Sequence, residues 1–187
     1  MEKKNIVEEI RKFVEEECRK PTSKYGYESY EFHFTLMYKY AKQLAEKLNA
    51  DVEVVELAAW LHDIGSIIFG RENHQITGAK IAEEKLRELN YSEEKIAKVK
   101  KCILNHRGST SNKKESVEEQ IIADADAMSQ FDNIEGIFKA ALVYEGQNQR
   151  EARKTTCQKL INHWNKLSDE SKKLIKPKYD AAMLLLK

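Results

Sequence analysis

The sequence predicts an all-α protein, folded as a single-domain helical bundle of about seven or eight helices. Three observations carry that expectation. Apolar residues recur at helical spacing almost everywhere, and strict strand alternation appears almost nowhere. Two prolines and seven glycines in 187 residues leave few forced breaks. The helix formers Ala, Glu, Lys and Leu are abundant throughout. The length suits one domain over residues 1–187 with a substantial core.

Residues 4–19 carry Ile6, Ile10, Phe13 and Val14 on one helical face, and PTSKYGY at 21–27 breaks that first helix. A second helix runs from about Tyr30 to Asn49, with Phe34, Met37, Ala41, Leu44 and Leu48 apolar. Asp51 can cap a third, over 52–64, which is apolar on nearly every side and expected to stop at Gly65. SIIFGRE reads as a linker, and Asn73 or Thr77 starts a fourth helix ending near Asn90. Ser92, with Glu93 and Glu94 behind it, opens a fifth that reaches about His106. RGSTSNKKES at 107–116 is polar and aperiodic, a surface loop or a lid. A sixth helix runs from 117 through DADAMSQFD, and one or two more complete the chain.

Composition excludes several functions. The 32 Lys and Arg nearly cancel 31 Asp and Glu, without the basic excess of a nucleic-acid polymer or membrane binder. No apolar run approaches the about 20 residues that span a bilayer, and MEKKNIVEEIRKF lacks the apolar core of a signal peptide. Cys18, Cys102 and Cys157 are odd in number with no CxxC spacing, so reduced thiols in a cytoplasmic protein are expected. A homodimer is compatible with the sequence.

The polar residues inside apolar helices carry the functional signal. In AAWLHDIG, the most buried helix ends on His62 and Asp63, and each would cost several kcal/mol to bury unpaired. Ile96, Val99, Ile103 and His106 are spaced 3, 4 and 3, so His106 continues an apolar stripe. Of the five histidines, four lie at or near helix ends in segments that should converge on one core. Imidazole and carboxylate tolerate such burial when a first-row cation supplies the missing charge. Adjacent helical residues point about 100° apart, so His62 and Asp63 can bracket an ion completed by other helices. The competing possibility is a metal-free core in which His62 and Asp63 pair with each other or with backbone groups.

The pattern resembles the HD-domain superfamily of metal-dependent phosphohydrolases. The matching segments are YEFHFTLMYKYA with His33, AAWLHDIG with His62 and Asp63, and IIADADAMSQFD with Asp126, over a motif core of about 28–132. The N-terminal helix 4–19 and the helices of 133–187 would pack on that core. The resemblance implies a metal held by His33, His62, Asp63 and Asp126. HQITGA and ILNHRG match branches of the superfamily in which further histidines, here His74 and His106, hold a second ion bridged by Asp63. With one ion only, His74 and His106 would instead bind phosphate or protonate the leaving group. Asp63, His74 and His106 are thus the implied catalytic residues.

Helical phase favours Asp124 on the stripe of Val117, Ile121 and Met128, whereas the superfamily pattern selects Asp126 before Ala127-Met128. Asp126 is taken as the ligand. Asp124 is then either a group that orients a ligand or bound water, or a plain buried hydrogen-bonding partner. Arg107 and Arg71 are the expected phosphate-binding cations, with Lys113 and Lys114 weaker candidates. Two cations frequent in the family are missing: Thr35, Leu36 and Met37 stand near the first His, and Ala127 is next after the last Asp. His163 matches nothing in the pattern and reads as structural. The His and Asp donors suit Mn, Fe, Co or Ni, one ion or two, with Mg also admitted. The implied activity is hydrolysis of a phosphate ester of a nucleotide or other small metabolite. The alternatives are a di-iron oxygenase of the same superfamily and a non-catalytic nucleotide-binding module.

Overall fold

Five helices surround one, and that one delivers the histidine–aspartate pair to the middle of the molecule. A computed structural model describes residues 5–107 and 114–186. Lys4, Lys113 and most of the RGSTSNKKES segment lie outside the described residues. Ten α-helical segments and two π-helical turns form the described chain, with no strand among them. The count exceeds the expectation because of short segments that periodicity does not resolve.

Helix α1 (Ile6–Arg19) is capped by Asn5, whose side chain accepts from the Glu8 amide, and buries Ile10, Val14 and Cys18. A π-helical turn, Tyr30–Phe34, leads into α2 (Thr35–Lys47). Single π turns inside helices recur at functional sites, and this one carries His33. Helix α3 (Val52–Leu61) starts where Asp51 accepts from the Val54 amide, and every residue from Leu57 to Leu61 is buried. It packs against α1 and α2 and against three helices later in the chain, at 74–88, 93–105 and 117–129. Burying each Val or Leu there contributes about 1.5–3 kcal/mol, which fixes the position of the His62–Asp63 pair at its end.

The chain bends at His62–Asp63 instead of stopping at a glycine. Helix α4 (Ile64–Phe69) occupies the stretch expected to be a linker, and Gly65 lies inside it. A Cβ at Gly65 would strike the His74 carbonyl oxygen, Thr77 Oγ1 and the Gly78 amide nitrogen. The glycine is there for close approach, and Gly70, at φ +96°, ends the helix.

Helix α5 (His74–Glu88) begins at His74 itself, after Asn73 in the left-handed conformation. Helix α6 (Glu93–Asn105) buries Ile96, Val99, Cys102 and Ile103 on the expected stripe. Next come α7 (Val117–Ser129) and α8 (Ile134–Lys139), the latter running into a second π turn at Ala140–Tyr144. Helices α9 (Gln149–Lys166) and α10 (Asp169–Leu186) close the chain. Helix α9 opens on a capping box of Asn148 and Glu151, and packs on α7, α8 and α10. Residues from α1 to α10 share one hydrophobic cluster. No helix among the described residues is long and apolar enough to cross a membrane.

Candidate metal centre

The bend after α3 places Asp63 between four imidazoles supplied by four different elements. Asp63 Oδ2 lies 3.6 Å from His33 Nε2 and 3.6 Å from His62 Nε2. Its Oδ1 lies 3.1 Å from His74 Nε2 and 3.6 Å from His106 Nε2. The donor atoms fall into two groups, each within 4.8 Å: His33, His62 and Asp63, and Asp63, His74 and His106. Asp63 belongs to both. Asp126 Oδ1 sits 3.6 Å from His33 Nε2, at the edge of the first group. His62, His74 and His106 are almost wholly buried.

Backbone carbonyls decide what these rings present. His62 Nδ1 faces the Ala59 oxygen at 2.9 Å, His74 Nδ1 that of Arg71 at 2.8 Å, and His106 Nδ1 that of Ile103 at 2.6 Å. A carbonyl only accepts, so each Nδ1 must carry the hydrogen. His33 Nδ1 lies 3.2 Å from Ser129 Oγ, whose own hydroxyl donates to the Asp126 carbonyl at 2.7 Å, so His33 donates there as well. All four neutral rings therefore aim an Nε2 lone pair inward. His33 and His62 bring these nitrogens to 3.0 Å, His74 and His106 to 3.3 Å. Asp63 Oδ1, buried among them, accepts no hydrogen bond.

Facing acceptors repel, and a buried polar atom without a partner costs about 1–3 kcal/mol. Only cations resolve such a cluster, whether protons or a metal ion. The ionisation behaviour agrees. Burial opposes ionisation of Asp63, but the surrounding imidazoles, His62 first and then His106, His33 and His74, hold its carboxyl well below the ordinary range. Burial likewise opposes charging His33 and His106, and Asp63 with Asp126 outweighs it and raises both. Burial prevails at His62, which is pushed down to about 4. A donor set of neutral imidazoles and carboxylate with fixed tautomers fits a divalent transition ion; His62 has the backbone partner that a metal-free core calls for, but Asp63 Oδ1 has none.

The other expected residues divide. Asp124 is fully occupied: Ser168 Oγ and Ser171 Oγ donate to its Oδ2 at 2.5 and 2.7 Å, and the Ser168 amide and Gln120 side chain to its Oδ1. It is the plain hydrogen-bonding partner, and Asp126, about 200° round the helix, faces the histidines. Arg107, next after His106, donates to Gln75 Oε1 at 3.4 Å. Arg71 has an exposed side chain, its carbonyl being the partner of His74. Lys114 is bound to the Asn105 carbonyl. Ser129 escaped sequence reasoning, although its place three residues after Asp126, in DAMS, is a usable signal.

A helical fold with a buried histidine–carboxylate cluster at the junction of several helices defines a class of metal-binding all-α proteins. The HD domain model matches residues 30–130, more than half of the chain, and the chain belongs to the HD-domain family. An HD-superfamily hydrolase from Bacillus thuringiensis shares the fold at TM-score 0.71, with 19% identity over 96% of this chain and 92% of that one. Bacillus subtilis YpgQ, solved in complex with ADP, gives TM-score 0.70 and 20% identity over the same shares. An HD-superfamily hydrolase from an uncultured Thermotogales bacterium gives 0.55 and 24%, covering 81% of this chain and 83% of that one. A tRNA (cytidine(56)-2'-O)-methyltransferase of Picrophilus torridus is 28% identical over 134 residues. That match covers 64% of this chain, which spans only 37% of that protein.

Proposed function

We propose that this protein is a metal-dependent phosphohydrolase, a phosphatase or phosphodiesterase acting on a nucleotide or another small phosphorylated metabolite. The observation that carries the reading is Asp63: one carboxylate shared by two imidazole pairs, with one oxygen buried and unpartnered. His33, His62, Asp63 and Asp126 would hold one ion, and His74 and His106 with Asp63 would hold a second. Such an ion, Mn, Fe, Co, Ni or Mg, neutralises phosphoryl charge and lowers the pKa of water toward neutrality. The protein's own part is to fix the rings through Ala59, Arg71, Ile103 and Ser129, so that no reorganisation is needed when the ion binds. Arg107 and Arg71, beside His106 and His74, would take the phosphate oxygens. Binding of ADP by a protein of the same fold supports a nucleotide as the substrate class.

The test is a metal assay on the purified protein, then a phosphorylated-metabolite panel with Mn²⁺, Co²⁺ and Mg²⁺. Metal-dependent phosphate release, abolished by a chelator, is the expected result. The two groups sharing Asp63 also suit the di-iron oxygenase. That reading requires tightly held iron, redox-dependent optical bands and no phosphate release.

A further inference from the structure

One side of α9 borders a cavity that shares no residue with the histidine cluster. Its volume is about 650 Å³, within the range of small-molecule sites, and its wall runs from α9 to Leu186 in the last turn of α10. Arg150, Lys154, Cys157 and Gln158 follow one another at steps of four, three and one, so they share one side of the helix, and Arg153 stands next to them. The other side of α9 is given to packing, with Ala152, Thr156 and Leu160 buried. No imidazole or carboxylate among the described residues lines the cavity. It therefore contains neither a counter-charge nor the donor set of the metal centre.

Three cations on that wall lack an acidic partner. Carboxylates occupy Lys139 and Lys159 nearby in the sequence, through Glu28 and through Glu145 at 3.3 Å. Arg150, Arg153 and Lys154 form no ion pair with a carboxylate among the described residues. Glu151, the acid nearest in sequence, instead accepts from the Asn148 amide at 3.0 Å in the capping box. Arg150 and Lys154, four residues apart on a helix, repel each other. Arg153 is held in place, its Nε donating to the Leu186 carbonyl at 3.0 Å and its Nη2 to the Leu185 carbonyl at 2.9 Å. Carbonyls accept without cancelling charge, so the guanidinium stays cationic and its Nη1 hydrogens remain for a further acceptor. Concave, pre-positioned and uncompensated positive charge is the complement of a phosphate group.

We propose that this cavity is a binding site for a phosphate-bearing ligand, separate from the metal centre. Arg153 supplies a donor already fixed in position, Arg150 and Lys154 neutralise the remaining charge, and Gln158 adds an uncharged donor. The inference does not depend on the hydrolytic reading, because no residue of the cluster takes part. A soluble phosphometabolite and a lipid headgroup present the same chemistry. Leu184 and Leu185, exposed in the same turn as Leu186, offer apolar contact to the acyl chains of the latter.

Alkylation of Cys157 by N-ethylmaleimide reads out occupancy, because Cys157 lines the cavity and is partly accessible, whereas Cys18 and Cys102 are 1% exposed. Inorganic pyrophosphate without added metal should slow that alkylation, and sodium chloride at equal ionic strength should not. Arg150→Gln and Lys154→Gln should each raise the pyrophosphate concentration required about tenfold, the scale of one charge-assisted hydrogen bond. Both side chains are exposed, so neither change disturbs packing. Asp63→Ala should leave the protection intact, which separates this cavity from the metal centre. A second arm replaces pyrophosphate with phosphatidylcholine vesicles containing phosphatidic acid. Protection by pyrophosphate assigns a soluble ligand, and protection by these vesicles alone assigns a lipid headgroup. No protection in either arm, undiminished protection in Arg150→Gln and Lys154→Gln, or loss of protection in Asp63→Ala overturns the proposal. Should phosphate esters be cleaved while Cys157 is never protected, this site fails and the phosphohydrolase reading stands.

Discussion

Asp63 and Asp124 are both acidic side chains set among the helices around α3 and α7, and they are treated in opposite ways. Asp124 receives four donors from Gln120, Ser168 and Ser171, all uncharged, and every one is a protein atom. Asp63 faces four imidazole nitrogens whose hydrogens point elsewhere, and its Oδ1 is left without a donor. The first arrangement is complete as it stands and serves to hold α7 to α10. The second is complete only with something added. Burial alone does not mark a functional carboxylate; an unmet valence among rings of fixed orientation does.

Four experiments test whether the two acids differ in this way. Asp63→Ala should abolish hydrolysis and weaken metal binding by more than about a hundredfold, since loss of a mere supporting hydrogen bond already costs about 10–100-fold. Its helical circular dichroism should survive, and full activity in this variant would remove the reaction from the cluster. Asp124→Ala should do the reverse, costing about 3 kcal/mol and roughly 10 °C in Tm by leaving buried hydroxyls unpaired. Its metal content should stay at that of the parent; equal metal loss would erase the distinction between the two acids. Ser129→Ala frees the His33 ring to turn and should weaken the metal about tenfold with little change in Tm. An unchanged affinity would mean that packing alone orients His33.

The smallest effect concerns pH. His33 and His106 are raised in the folded, cation-free cluster, chiefly by Asp63 acting against burial. Their protons stabilise that form below about pH 6.5, the unfolded value, and the stabilisation is lost as pH rises through the raised values. His62, at about 4, contributes with the opposite sign and below that window. A metal ion needs all these nitrogens unprotonated. The gain in Tm on adding Mn²⁺ should therefore grow from about pH 6 to about pH 8. Equal gains across the range would show that the ion displaces no protons.

The sequence made the helices legible where an apolar stripe was long, as in α1, α6 and the body of α2. It made the cluster legible through His62, Asp63 and His106, each a polar residue where periodicity calls for an apolar one. Short segments were hidden: α4, at six residues, has too few turns to show a period. The π turn at Tyr30–Phe34 shifts the phase of its neighbours, so the stripe gave no warning of it. The choice between Asp124 and Asp126 was also beyond periodicity, because α7 is buried on several faces. Ser168 and Ser171, which occupy Asp124, lie more than forty residues away.

Gly65 seats α4 directly on the backbone of α5, with no side chain between them. The span from the His62–Asp63 bend to His74 is consequently a main-chain dimension, set like the gauge of a track and indifferent to rotamers. One methyl group at position 65 would act as a wedge, opening the Asp63–His74–His106 half while leaving the His33–His62 half, built on the Tyr30–Phe34 turn and the end of α3, at its original width. Ligand chemistry that depends on both halves together would then be lost to a change that touches neither set of donors.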